Sequence, residues 1–434
     1  MVRTRSTNRT TAETAAPVSL TLPWIMVLLA VAATPLVITP GIYDAFRLSK
    51  AMFFQAAMLV TLGVSVAWLL LRDGAVRERL RRHRTAVILA VASVAWTTFV
   101  SIVALLPAVA RYAPLTAACY AILFILTIVF ARGTFLPLCA LLLPAMANAA
   151  FAVLQYFRIW SPVELTQIPR GHFYAIGLLG NPNYVGAHLI VPCVAAIAAS
   201  IAFRKYRVLF ALIAVMLLTG LFFAQSVTAA GAMAVAMVSF VAVMRGHKMR
   251  IAIVAALVLA AIALAAYGPT RNRAIGVARA VREGRLNEAT SLRLPAYAVA
   301  FQMFRERPLT GVGPGGFEAR YMSHKLEIDE RFPEWSIFGN LNFGEVHNDP
   351  LQVLAETGLP GFLLYIAALM YVAAISFRKS DANDERAEFA RIFCFPAIVG
   401  FGVVALGQFP MYLAACMAPS LFAAALAQVW WRQP

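Results

Sequence analysis

Charge is what this chain has least of. Only 13% of its 434 residues are Asp, Glu, Lys or Arg, against 61% hydrophobic residues and a mean hydropathy of +0.76. A soluble globular domain carries about 25% charged residues. That class is therefore excluded, and the repeated apolar runs near the length of a bilayer crossing specify a polytopic membrane protein. Cysteine is scarce as well. Cys119, Cys139, Cys193, Cys394 and Cys416 all sit in apolar segments without CxxC spacing, so they read as small core residues. The six histidines show no HExxH or paired spacing, and a protein-bound metal is not indicated. No internal repeat is visible. The net charge of +17 would suggest nucleic acid in a soluble protein. Here it falls in short loops between apolar runs, so no nucleic-acid partner is expected.

What is there is a series of twelve candidate spans: 20–39, 51–71, 86–107, 115–130, 138–156, 187–203, 208–224, 229–244, 251–267, 357–377, 392–410 and 414–431. The basic residues set their orientation. With the N-terminus inside, cytoplasmic segments hold 21 of the 37 Lys and Arg, and short loops on the far side hold 5. The other 11 lie in one long far-side loop. The chain then divides into a cytoplasmic tail (1–19), nine helices (20–267), a large periplasmic loop (268–349), and three helices ending in the cytoplasm (350–434). A cleaved signal peptide is not expected, because the first apolar run is long and lacks a cleavage site. No charged residue falls inside the spans as drawn, which argues against an ion-coupled transporter. Asn148, Gln155 and Gln408 read as interhelical hydrogen bonds.

Polar chemistry gathers in three far-side places. The first is Glu345 to Gly361. Asp349 followed by Pro350 reads as an N-cap with proline at the first helical position, and Gln352 sits where a capping partner reaches back. His347 precedes that helix start, where the helix dipole disfavours imidazolium and keeps a proton acceptor available. Asn348 stands beside it. Gly358 and Gly361 share a helical face that another backbone can approach. The second place is Gly180-Asn-Pro-Asn183, a turn entering the sixth span, with Arg170 upstream. Asn181 reads as a backbone-capping side chain, and Asn183 and Arg170 as possible contacts to sugar or phosphate.

The third is the loop itself. Residues 268–307 carry eight basic and three acidic residues, and 308–349 carry three basic and seven acidic. A basic half beside a membrane suits an anionic headgroup or a diphosphate. Leu294, Tyr297, Phe301 and Phe304 fall on one helical side, so this segment is expected to lie on the membrane. Arg293 opens it and is the best diphosphate candidate in the loop. Gly311-Val-Gly-Pro-Gly-Gly316 spells G-x-G-x-x-G but lacks the preceding strand, so it is a turn-rich loop and not a dinucleotide site.

Taken together, His347-Asn348, nine residues, then Gly358-x-x-Gly361 resembles the signature of the bacterial O-antigen ligase and polymerase superfamily. The Gly-Asn-Pro-Asn turn, the Pro308-to-Gly315 stretch and the twelve-span layout resemble it too. The resemblance implies an all-α, GT-C-like inner-membrane glycosyltransferase, metal-independent and without cofactor, its site facing the periplasm. It would move a glycan from undecaprenyl diphosphate to an acceptor hydroxyl with inversion. The family's essential histidine maps to His347, and its periplasmic arginines to Arg170 and Arg293. Asn181, Asn183 and Asn348 would be supporting polar contacts. The family often has Leu four residues after the loop arginine, whereas this chain has Tyr297. The acceptor expected first is lipid A core, making the protein an O-antigen ligase of lipopolysaccharide synthesis. Alternatives are an O-antigen polymerase, a protein O-oligosaccharyltransferase or, in a different class, a flippase of lipid-linked glycans.

Overall fold

The structure is a computed structural model that describes residues 20–432 except 43, 72–74, 162–174, 249, 252–253, 256–267, 337–341 and 380–383. The described residues form helices, turns and irregular connections, with no strand among them. In chain order the helices are α1 (Leu22–Ala33), α2 (Arg47–Leu70), α3 (Ala75–Arg82), α4 (Arg84–Ile102), α5 (Pro107–Ala110), α6 (Ala113–Phe130), α7 (Phe135–Tyr156), α8 (Pro182–Ala202), α9 (Arg207–Phe223) and α10 (Val227–Val243). After them come α11 (Gly268–Arg282), α12 (Leu286–Ala289), α13 (Leu294–Glu306), α14 (Gly316–Arg331), α15 (Pro333–Ser336), α16 (Asp349–Ala373), α17 (Glu385–Ala405) and α18 (Ala414–Arg432). Nine of the described helical stretches are long and apolar enough to cross a bilayer, and α1 and α10 are shorter apolar helices. Eleven expected spans thus correspond to helices. The ninth, 251–267, lies largely outside the described residues.

The bundle is organised around α8, which is apolar on all sides and enclosed by α7, α9, α10, α17 and α18. Helices whose outer faces meet lipid gain little from apolar contact, so close approach depends on small residues. Gly220 packs against Ala149, Gly400 against Ile190, and Gly186 against Ala229 and Ser226. The amides of α7 bond to a turn and not, as expected, to another helix. Asn148 Oδ1 accepts from Leu178 N (2.9 Å), and Gln155 Oε1 accepts from Gly177 N (2.7 Å). They pin the turn that enters α8.

The long loop has its own small core: Ala296, Val299, Ala300 and Met303 of α13 against Val312, Phe317 and Tyr321. The opposite side of α13 carries Phe301, which is 52% exposed.

Helix ends also extend beyond the spans drawn from hydropathy, and the added turns carry charge. Lys50, Asp349, Glu356 and Arg391 are all buried within helices. Lys50 Nζ donates to Val37 O and Leu178 O, each at 2.7 Å. Arg391 is paired with Glu388 and donates to Val243 O. Each buried charge is tied to the bundle by hydrogen bonds, which reduces the desolvation penalty.

α16 is broken at Gly358 (φ 68°, ψ −175°), just before Pro360. The first half-helix therefore ends with open carbonyls, and the turn-rich loop closes them. Val312 N donates to Ala355 O (2.9 Å), Gly313 N to Glu356 O (3.1 Å), and Leu359 N to Pro308 O (2.8 Å). Trp96 Nε1 donates to Thr357 O (3.0 Å). Gly311-Val-Gly-Pro-Gly-Gly316 is thus the C-terminal cap of a half-helix, bonding to it backbone to backbone.

Candidate active site

The site is assembled at the N-terminus of α16. The cap is Asn348, one residue earlier than the sequence indicated: its Oδ1 accepts from Leu351 N (3.0 Å), which places Pro350 at the second helical position. Gln352 does reach back, but to Val346 N (3.0 Å). Asp349 points inward, fully buried, with Oδ2 accepting from Met411 N (3.0 Å). Together these bonds fix the backbone on both sides of His347, which is held at φ 59°. A non-glycine residue in the left-handed region is uncommon and marks a locally strained backbone.

His347 Nδ1 lies 3.0 Å from the Glu345 carbonyl oxygen. A carbonyl can only accept, so Nδ1 carries the hydrogen and Nε2 keeps the lone pair. The ring stands edge-on to Phe343 and Phe409, with centroids at 5.7 and 4.9 Å. Burial, followed by the nearby Arg293 cation and, more weakly, Arg47, pushes the imidazole pKa down to about 4. The sequence reading anticipated a neutral histidine but attributed it to the helix dipole. The principal causes are desolvation and neighbouring guanidinium charge. A base with this lowered pKa stays neutral at pH 5–7 and is protonated only as pH falls through about 4. If His347 is the base, the acid limb of kcat/KM should sit near pH 4, well below the ordinary histidine value. A pH–rate profile with a half-maximum near 6.5 would contradict this.

The connection between α17 and α18 supplies the other wall. Leu406 O accepts from Asn348 Nδ2 (3.2 Å), and Gly407 O accepts from Arg293 Nη1 (2.6 Å). Phe409 lies between His347 and Arg47, whose guanidinium carbon is 5.3 Å from the ring centroid. Arg47 is ion-paired with Glu345 and also hydrogen-bonded to the Tyr184 hydroxyl. Burial pushes the Glu345 carboxyl up from its ordinary range, against the opposing pull of Arg47. Arg293 is delivered by a tight turn in which Ser291 and Leu292 both adopt positive φ (57° and 64°). It also hydrogen-bonds Tyr297, so the residue at the leucine position of the family pattern is in contact with the arginine four residues before it.

The remaining expected residues are placed as follows. Asn181 caps α8, its Oδ1 accepting from Asn183 N (2.8 Å), and Asn183 Oδ1 accepts from Ser226 Oγ (2.9 Å). Their turn still borders the site, because Gly180 packs on Phe46, the residue before Arg47, and Tyr184 packs on Phe409 with centroids 5.4 Å apart. Arg170 lies outside the described residues. Among the described residues, no three His, Cys, Asp or Glu side chains converge as metal ligands would. Sequence reasoning missed Arg47, Glu345 and Phe409 as a group. Arg47 begins α2 and meets the long loop through Glu345, a contact no local pattern marks.

No curated protein matches the chain. Residues 211–366 match the family described as O-antigen ligase. That stretch contains Arg293, His347 and both glycines of the α16 break, while Arg47 and Phe409 lie beyond it. The resemblance read from His347 to Gly361 is thus shared by a family match extending over the long loop, and residues 211–366 of this polytopic membrane protein are similar to that family.

Proposed function

We propose that the protein is an inverting glycosyltransferase that moves a glycan from undecaprenyl diphosphate to an acceptor hydroxyl at the periplasmic face of the bacterial inner membrane. The preferred acceptor is lipid A core, which makes the reaction O-antigen ligation. The observation that carries this reading is the His347 tautomer, with Nδ1–H held by Glu345 O and Nε2 left as a base beside two arginines. The acceptor hydroxyl oxygen forms a bond to the anomeric carbon while the bond from that carbon to the diphosphate oxygen breaks. The hydroxyl proton passes to His347 Nε2, and the bonding pair leaves with the diphosphate. Arg293, Arg47 and Arg170 stabilise that departing charge, so the residues named here account for the chemistry without a metal ion. Asn348 holds the cap that aims His347, and Asn181 and Asn183 hold the turn behind Arg47.

Purified protein supplied with labelled undecaprenyl-diphosphate glycan and a core acceptor should form a glycosidic product. Translocation across vesicles without bond cleavage would instead identify a flippase. In a deletion strain, loss of all core-attached polymer with accumulation of lipid-linked polymer is expected of a ligase. Single O-units on the core would identify a polymerase, and loss of protein-linked glycan an O-oligosaccharyltransferase.

The guanidinium requirement gives a further expectation. Arg293→Lys keeps the charge but loses the planar fork, and should lower kcat by roughly 10–100-fold. Arg47→Lys should do the same, with the Phe409 contact weakened as well. Steady-state kinetics would check both, and unchanged kcat for both variants would remove diphosphate stabilisation from these residues.

A further inference from the structure

A second polar cluster lies at the end of the bundle opposite His347, where α4 begins and α6 and α18 finish. α3 rests on the bundle through Val76 and Leu80, four residues apart on one face and both packed against the main core. That packing leaves Arg77 and Arg81 exposed and Arg79 half-buried. Arg79 Nη1 donates to Val129 O at the end of α6 (2.7 Å). Arg82 and Arg432 close α3 and α18, and each guanidinium donates to the other residue's backbone carbonyl. These exchanges bring three guanidiniums around His83, which is 4% exposed and feels the charge of Arg432, Arg82 and Arg79. Its Nδ1 is buried with no partner among the described residues. Burial first, and then those arginines, push the His83 pKa down to about 4, so its ring is neutral and adds a polar nitrogen without adding charge.

α3 carries one carboxylate, Glu78, against four arginines, so the cluster is net basic. Among the described residues, no carboxylate lies within 4.0 Å of Arg79, Arg82 or Arg432. Their hydrogen bonds go to carbonyls, which orient the guanidiniums but do not neutralise them. Arg132 also acts on Arg79 with like charge. Guanidiniums held close together call for an anionic partner that several of them can contact at once, and a phosphate meets that description. The surroundings indicate where the phosphate comes from. Exposed apolar side chains follow at the end of α2 and along α4: Leu70 and Leu71 at 83% exposure, Ile88 at 63% and Val91 at 54%. A basic cluster at the ends of helices that carry exposed apolar side chains suits a phospholipid, which joins an anionic head to acyl chains.

We propose that this cluster is a headgroup site for an anionic membrane phospholipid, its phosphate seated among Arg79, Arg82 and Arg432 and its acyl chains lying along Leu70, Leu71, Ile88 and Val91. The site is independent of the glycosyl-transfer centre, which lies at the other end of α4 and α18. The bound lipid ties α3, α6 and α18 together across this net basic cluster.

The test uses the full chain purified in detergent, incubated with phosphatidylglycerol, phosphatidylcholine or inorganic phosphate, with bound lipid read by native mass spectrometry. Phosphatidylglycerol should be retained and phosphatidylcholine should not. The double variant Arg82→Gln/Arg432→Gln should retain phosphatidylglycerol on the order of tenfold less. The double variant Arg82→Lys/Arg432→Lys guards against loss of fold, because it keeps the charge and should retain most of the lipid. Arg77→Gln/Arg81→Gln removes two outward charges and should leave retention unchanged. Equal retention by the wild type and the Gln variant at Arg82 and Arg432 would overturn the site. So would an equal loss on removing the outward pair, which would mean general charge attraction. Displacement of the lipid by inorganic phosphate at matched concentration would overturn the lipid assignment in favour of a soluble phosphate ligand.

Discussion

His347→Ala is expected to lower glycosyl transfer by about 10²–10⁴-fold, the range typical of losing a positioned general base. The loss should fall mainly on kcat, because the ring contributes to proton transfer and little to holding a diphosphate. Folding should survive the change. The α16 cap is made by Asn348, Asp349 and Gln352, and none of those bonds passes through the imidazole. Loss of the left-handed conformation adds some strain with alanine, since that region suits residues other than glycine poorly. His347→Asn therefore serves as a companion, because Asn tolerates positive φ and offers no comparable base. Both variants should be inactive and both should run as monodisperse protein. Wild-type turnover by either variant, measured with labelled lipid-linked donor, would remove the base role.

Gly358→Ala should produce the largest loss of stability. The position has φ 68° and ψ −175°, a combination that essentially only glycine occupies. A Cβ there would stand 2.3 Å from Leu309 O and 2.8 Å from Thr310 N, both backbone atoms that cannot swing aside. Conformational strain of about 1–3 kcal/mol adds to a steric term of similar size. Together they should exceed about 3 kcal/mol and detach the 308–313 loop from the open end of the half-helix. Gly402→Ala is the matched control: Gly402 lies within α17 with nothing inside 4 Å of an added Cβ. That change should be neutral or slightly stabilising, because alanine is the better helix former by about 1 kcal/mol. The apparent melting temperature in detergent separates the two. Equal melting temperatures for both variants would mean that α16 can close across Gly358 as a continuous helix.

The half-helix connects these two expectations. Glu356 is almost fully buried, and it accepts from Phe317 N (3.4 Å) and from the Tyr412 hydroxyl (3.1 Å). It thus links the start of α14 to the turn after Phe409, two segments that border the His347 and Arg293 contacts. A kinked helix held by its own loop can present an N-terminal residue rigidly, whereas an isolated helix end frays.

How much of this was legible beforehand depended on the range of the interaction. Hydropathy located the spans because a bilayer crossing needs a run of some twenty apolar residues, and that information is local. Helix ends were less visible. Asp349 and Glu356 are polar, so hydropathy started the tenth span at 357, whereas hydrogen bonding begins the helix at 349. The capping residues were read almost correctly, one position out, because Asn348 and Asp349 are both competent caps and only the backbone dihedrals distinguish them.

The chain by itself determined that this is a membrane-embedded helical protein, and it singled out His347 and Arg293 as candidates. Both conclusions rest on composition and short-range pattern, which survive without coordinates. Only the tertiary structure decided what surrounds His347. Arg47 and Glu345 are 298 positions apart, and Arg293 meets Gly407 across 114. Contacts at such separations leave no periodic trace in one sequence, because they arise from how the helices pack and from the break at Gly358 that lets the loop fold back onto the bundle.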